Sequence, residues 1–287
     1  MSQETRADIF AELDAPLRGR LARCRALLKQ ARRVVVAFSG GVDSTFLLAL
    51  AVDTLGPENV LAVVGVSPSL ARRELEDARR LAGRIGAELV EIRTCELDDA
   101  NYAANPADRC FFCKKELFGR LKELAAERGF EAVVSGANAD DKGDFRPGLT
   151  AGQQLGVINP LMQAGLSKDD IRAASRVMGL PTWNKPACAC LASRIPYGDA
   201  ITPERLSRIE QAEYVLRDLG FAACRVRDHG TIARVEVPAE QIPRLAELRQ
   251  RIVGPLKALG FAYVALDLEG FRSGSMNETL RTGPESR

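Results

Sequence analysis

The chain has 287 residues, 46% of them hydrophobic and 27% charged, with 40 basic residues against 38 acidic ones. A formal charge of +2 excludes wholesale electrostatic capture by nucleic acid or an anionic membrane and leaves any such role to a local patch. The length is sufficient for a buried core shared between two domains, expected at 1–200 and 201–287.

The first stretch, "MSQETRADIFAELDAPLRGRLARC", is charged throughout and lacks the apolar run and cleavage site of an export signal, so a cytoplasmic protein is expected. The longest apolar runs, "RRVVVAFSGG" and "TFLLALAV", stop short of the roughly 20 residues that span a bilayer. In a reducing compartment, clustered members of the seven cysteines point to metal or sulfur chemistry rather than disulfides.

From Arg32 the pattern alternates. "VVVAFSG" reads as a buried strand, "DSTFLLALAVDTLG" as a helix ending at Gly56, and "VLAVVGVS" as a strand. "ARRELEDARRLAGRIG" is helical, "AELVEIRT" a strand, "KKELFGRLKELAAERG" a helix and "EAVVSGAN" a strand. This order predicts an α/β fold, a doubly wound parallel sheet with helices on both faces. "LSKDDIRAASRVMGLP" adds a helix, and "TWNKPACACLASRIPYGDAITP" an ordered Pro- and Cys-rich loop. Beyond Thr202, two helices ending in "LGF" each run into strand material, which predicts a smaller α+β domain with helices on one face of a short sheet.

"SGGVDS" (39–44) joins the first strand to its helix. Gly40 and Gly41 allow tight backbone and close approach of a ligand, and amides of the next helix's first turn attract a phosphate. The alternative is an ordinary helix start capped by Ser39 or Asp43. No Lys follows the second glycine, so this is neither the common nucleotide P-loop nor a dinucleotide fingerprint. The S-G-G-x-D-S form resembles the pyrophosphate loop of the PP-loop ATP pyrophosphatases, which cleave ATP between its α and β phosphates. That resemblance rests on Ser39, Gly40, Gly41, Asp43 and Ser44, and implies that Asp43 partners a phosphate-bound Mg²⁺. Gly136, at the end of a later strand, is a candidate for approach to the adenine.

Four further stretches, "DFRPGL" (144–149), "WNKPACACLASRIPYG" (183–198), "RVRDHGTIARVE" (225–236) and "LDLEGFRSGSMN" (266–277), together resemble the LarE family of ATP-dependent sulfur transferases. The resemblance implies that pyridinium-3,5-biscarboxylic acid mononucleotide is adenylated and converted to thiocarboxylates, on the way to a nickel-pincer nucleotide. It also implies assembly into a homo-oligomer. Arg225 and Arg227 fall on one face of a strand and suit the mononucleotide's phosphate. Arg194 and Glu213 lie at functional positions of the same pattern. His229, the single histidine, reads as structural or exposed rather than as a general base.

One branch of the family sacrifices the sulfur of a cysteine. Here Ala189 aligns with that donor, between Cys188 and Cys190, either of which a one-residue shift would bring into place. A second branch holds a [4Fe-4S] cluster on three cysteines, one iron being left to carry a sulfide. Cys110, Cys113 and Cys190 match it, with a sulfide or a sulfur-donor protein as the source. Zinc on Cys110, Cys113, Cys188 and Cys190, a C-x-x-C redox pair, and four thiols with no joint role stay open. Cys24, Cys95 and Cys224 read as core filler. The alternative functions are a tRNA thiolase of the same superfamily and a non-enzymatic zinc- or iron-binding scaffold.

Overall fold

The computed structural model describes residues 9–143, 146–186 and 189–272. In chain order these form α1 (Ala15–Ala31), β1 (Val34–Ala37), α2 (Val42–Leu55), β2 (Val60–Val66), α3 (Arg72–Ile85), β3 (Glu88–Arg93), the short α4 (Ala100–Ala103), α5 (Arg109–Arg128) and β4 (Ala132–Val134). Then come α6 (Pro147–Gln154), α7 (Pro160–Ala164), α8 (Lys168–Val177), α9 (Pro203–Asp218), β5 (Arg225–His229), β6 (Ile232–Glu236), α10 (Ile242–Glu247), α11 (Arg249–Ala258) and β7 (Tyr263–Leu266). They belong to two compact units. One comprises the residues up to Val66 with Arg72–Cys95 and Cys110–Ala187; the other comprises Ser67–Ala71, Glu96–Arg109 and the residues from Cys188.

In the first unit, three consecutive valines of β1 are fully buried and have no polar face to offer water. Such a strand must be covered on both sides. Val34 and Val36 pack into a core with α1, α2, α7 and α8, whereas Val35 packs oppositely against Phe118, Leu121 and Ala125 of α5. The sheet is parallel with strand order β3-β2-β1-β4, so the doubly wound α/β expectation is met. Because the chain moves from β1 to β2 and β3 on one side and later returns to β4 on the other, a crevice opens beyond the ends of β1 and β4.

Helix α2 is apolar around most of its circumference and buries nine residues from Val42 to Ala51, as an internal helix does. Helices α1 and α5 differ from the sequence reading. Helix α1 was not anticipated, although Leu17, Leu21, Cys24, Leu28 and Ala31 make a buried stripe at 4-3-4-3 spacing behind an Asp14 cap. Helix α5 begins at Arg109 rather than Lys114, which places Cys110 in its first turn and Cys113 at the start of its second.

In the second unit, β5 and β6 are antiparallel and β7 joins β6 in parallel. Val226 and Val235 meet an apolar cluster with Leu216, Ile252 and Leu256. Their neighbours Arg225, Arg227, Arg234 and Glu236 share the opposite face by register. The segment 239–261, expected as one helix, is interrupted: Pro243 opens α10 in its first turn, and α11 starts anew after Leu248.

Gly136 sets a close approach within the first unit. A Cβ there would lie 2.9 Å from the Ser44 amide nitrogen and 3.1 Å from the Asp43 carbonyl carbon, both backbone atoms that cannot swing away. Gly136→Ala is therefore expected to lose about 1 to 3 kcal/mol of stability in urea denaturation, the cost of an overpacked contact.

Candidate functional site

At the end of β1 the chain continues in register for one residue, Phe38 N donating to Val63 O at 2.8 Å, and then turns. Gly40 has φ of +69°, a left-handed conformation that favours glycine. Ser39 Oγ and Ser44 Oγ lie 3.0 Å apart, and the Ser39 amide donates to Ser44 Oγ at 3.2 Å, pinching the loop closed across its base. The N-cap of α2 is Gly41, and no side chain caps the helix. Neither Ser39 nor Asp43 performs the capping of an ordinary helix start. First-turn amides of a helix without a side-chain cap are donors of the kind that suit an anion.

Two lysines distant in sequence close on this loop, and neither was singled out from the sequence. Lys168 Nζ bonds Asp43 Oδ2 at 2.5 Å. Lys185 Nζ donates to the Gly40 carbonyl at 3.3 Å and to Glu74 Oε2 at 2.7 Å, with Asp77 Oδ2 at 3.5 Å. Asp43 Oδ1 is buried and accepts no hydrogen bond among the described residues. That orphaned oxygen fits a hard cation, which takes carboxylate oxygens in company with phosphate oxygens. Gly136 faces the backbone of Asp43 and Ser44, so its lack of a side chain serves packing of the loop.

In the second unit, Arg194, Glu213, Arg225 and Arg227 come together. Arg194 meets Glu213 through two bonds, 2.8 and 3.2 Å, with both side chains buried. Its remaining nitrogen donates to the carbonyls of Ala189 at 2.6 Å and Cys190 at 3.0 Å, so the pair fixes the main chain at those residues. Arg227 is 1% exposed and bound to Glu236 at 2.8 and 2.9 Å, and it donates to the Ser193 carbonyl at 2.8 Å.

Arg225 differs from its neighbours. It is buried against the ring of Phe271, 4.4 Å from the centroid, and among the described residues its guanidinium has no carboxylate partner. Burial first, and then the charges of Arg194 and Arg227, pull its pKa down to about 10. Glu236 and Glu213 act on it in the opposite sense, more weakly. His229 ends β5 on the exposed side, as expected.

The cysteines sort by exposure. Cys24 and Cys224 are buried, and burial pushes both thiols up to about 12. Cys110 is exposed and Cys113 partly so, one turn apart in α5. Cys190 is exposed at the start of the turn Leu191–Arg194, and its carbonyl is held by Arg194 and by Ser193 Oγ. Cys95 is half-buried, and its amide donates to Glu116. Cys188 lies outside the described residues. Among those described, no three His, Cys, Asp or Glu side chains form a group that could hold a metal ion. No helix of the described residues is long and apolar enough to cross a membrane.

Residues 20–122 match the NAD synthase family model. The chain is 41% identical to the pyridinium-3,5-bisthiocarboxylic acid mononucleotide synthase of Lactiplantibacillus plantarum, over 93% of this chain and 96% of that one. The chain belongs to the LarE family. It is also 43% identical, over 92% of its length and 99% of the relative's, to an uncharacterised protein of a Synechocystis strain. A tRNA-specific 2-thiouridylase of Desulforamulus reducens is 28% identical over 54% of this chain and 53% of its own. As a member of the LarE family with a PP-loop, the chain is an ATP-dependent enzyme.

The two strand arginines should behave differently on truncation. Arg227→Ala strands the buried Glu236 and is expected to cost about 3 kcal/mol of stability. Arg225→Ala should cost about 1 kcal/mol or less, the worth of its contact with Phe271. Urea denaturation of the two variants side by side checks this.

Proposed function

We propose that the enzyme activates the carboxylates of pyridinium-3,5-biscarboxylic acid mononucleotide with ATP and replaces one oxygen of each by sulfur. A carboxylate oxygen attacks the α-phosphorus and pyrophosphate leaves; a sulfide then adds to the acyl-adenylate carbon and AMP departs with the bridging oxygen. The observation that carries the substrate is the 41% identity to the synthase of the bisthiocarboxylate over nearly the full length of both chains. The geometry supports it. The uncapped loop 39–44 suits pyrophosphate, with Asp43 toward Mg²⁺, and Arg225 suits the mononucleotide phosphate. Arg194 and Glu213 act by holding the main chain at Ala189 and Cys190.

For sulfur delivery we assign Cys110, Cys113 and Cys190 as thiolate ligands of a [4Fe-4S] cluster, fed by sulfide or a sulfur-donor protein. When bound, such a cluster supplies an iron that carries the sulfide to be transferred. What supports this reading is exposure and residue type: Cys110 and Cys190 are exposed and Cys113 partly so, whereas Cys24 and Cys224 are buried with raised pKa values. Ala189, with no thiol, stands where the family's sacrificial donor aligns. The thiouridylase likeness covers only half of each chain, and a near-neutral charge offers no footprint for tRNA.

Anaerobic reaction of iron- and sulfide-reconstituted protein, followed by product per subunit and intact mass, tests delivery. More than one product sulfur per chain is expected, abolished by Cys110→Ala, Cys113→Ala or Cys190→Ala and retained in Cys188→Ala. One sulfur per chain with a loss of about 34 Da, the mass of H₂S leaving a cysteine, would instead establish sacrifice. Arg225→Ala should weaken the substrate mononucleotide by about 1.5 to 3 kcal/mol in calorimetry while leaving ATP affinity unchanged.

A further inference from the structure

Lys168 occupies the wrong end of a helix. It is the first residue of α8, where a cation opposes the helix dipole, whereas the neighbouring Asp169 and Asp170 suit that position. The start of α8 is otherwise rigidly made. Ser167 and Asp170 form a reciprocal capping box, and the Lys168 amide donates to Asp140 Oδ2 at 2.8 Å. Helix stability therefore gives no reason for a lysine. Its ammonium is used instead on Asp43, at 2.5 Å.

The pair is partly buried, with the Lys168 side chain 33% and the Asp43 side chain 24% exposed. Separating it without replacement partners leaves two charges poorly solvated. Mg-ATP is a replacement for both at once, offering a divalent cation to the carboxylate and anionic oxygens to the ammonium. Mg²⁺ alone offers nothing to Lys168, and nucleotide alone offers nothing to Asp43.

We infer that Lys168 is a phosphate-binding residue held in reserve on Asp43, and that the two exchange partners when Mg-ATP enters, so that metal and nucleotide bind only together. The side chain is long enough to turn away from Asp43 while its backbone stays fixed by Asp140 and the capping box. Asp43 presents Oδ1, already buried and without a hydrogen bond among the described residues, as the oxygen that has no partner to lose. This inference rests on the reading of 39–44 as a pyrophosphate loop.

The test compares wild type with Lys168→Met and Lys168→Arg. Mn²⁺ binding without nucleotide is followed by electron paramagnetic resonance, and Mg-ATP binding by calorimetry. Removing the ammonium frees Asp43, so Lys168→Met is expected to bind Mn²⁺ about tenfold more tightly than wild type and Mg-ATP at least about tenfold more weakly. Lys168→Arg, which keeps the charge, should leave Mn²⁺ binding weak and recover most of the Mg-ATP affinity. Lost Mg-ATP affinity with unchanged Mn²⁺ binding in Lys168→Met would overturn the exchange, as would wild-type behaviour in both titrations. If Lys168→Met does not fold, tightened Mn²⁺ binding by Lys168→Arg overturns it. Wild-type protein that binds no Mg-ATP at all would overturn the pyrophosphate-loop reading itself, and this inference with it.

Discussion

A helix whose first turn has no cap must be held in place by something else. In the first unit that something is the burial of α2, whose residues from Phe46 to Leu50 sit among β1, β2 and α1. Each buried Leu or Phe contributes about 1.5 to 3 kcal/mol, more than the roughly 1 kcal/mol that a Ser or Asp cap would add. The core thus stabilises an end that the helix alone would leave frayed. Free amides, the left-handed Gly40 and the close approach of Gly136 all follow from spending packing rather than capping on this junction.

The second unit solves a different problem, the burial of many charges. Glu213, Asp228 and Glu236 are almost wholly inaccessible, and each has arginine partners: Arg194 and Arg217, Arg205 and Arg208, Arg227 and Arg234. Such pairs contribute little net stability once desolvation is counted, but breaking one is costly, so the lattice fixes positions rather than adding strength. Against that background Arg225 stands out because, among the described residues, its neighbours have carboxylate partners and it has none.

Much of this was legible in the sequence. The alternation of strands and helices, the glycine loop and the pairing of Arg225 with Arg227 on one strand face came from local periodicity and motif, whereas Arg194 and Glu213 came from the resemblance to the LarE family. Helix α1 escaped because its apolar stripe is narrow and set among arginines; the spacing of Leu17, Leu21, Cys24 and Leu28 would have revealed it. The division of labour between Arg225 and Arg227 was not readable, since it depends on the register that sets Glu236 beside them. Lys168 and Lys185 were out of reach for the same reason: they meet the glycine loop across 125 and 145 residues of chain. Only the misplaced charge at the start of α8 hinted at the first.

Arg194 takes hold of residues 189 and 190 by their carbonyl oxygens, which every amino acid possesses. The shape of this loop is thereby uncoupled from the identity of the side chains it displays. A thiol can appear or vanish at either position without disturbing the main-chain scaffold beneath, because the grip is on atoms that a substitution leaves in place. The loop is a socket that does not read what is plugged into it.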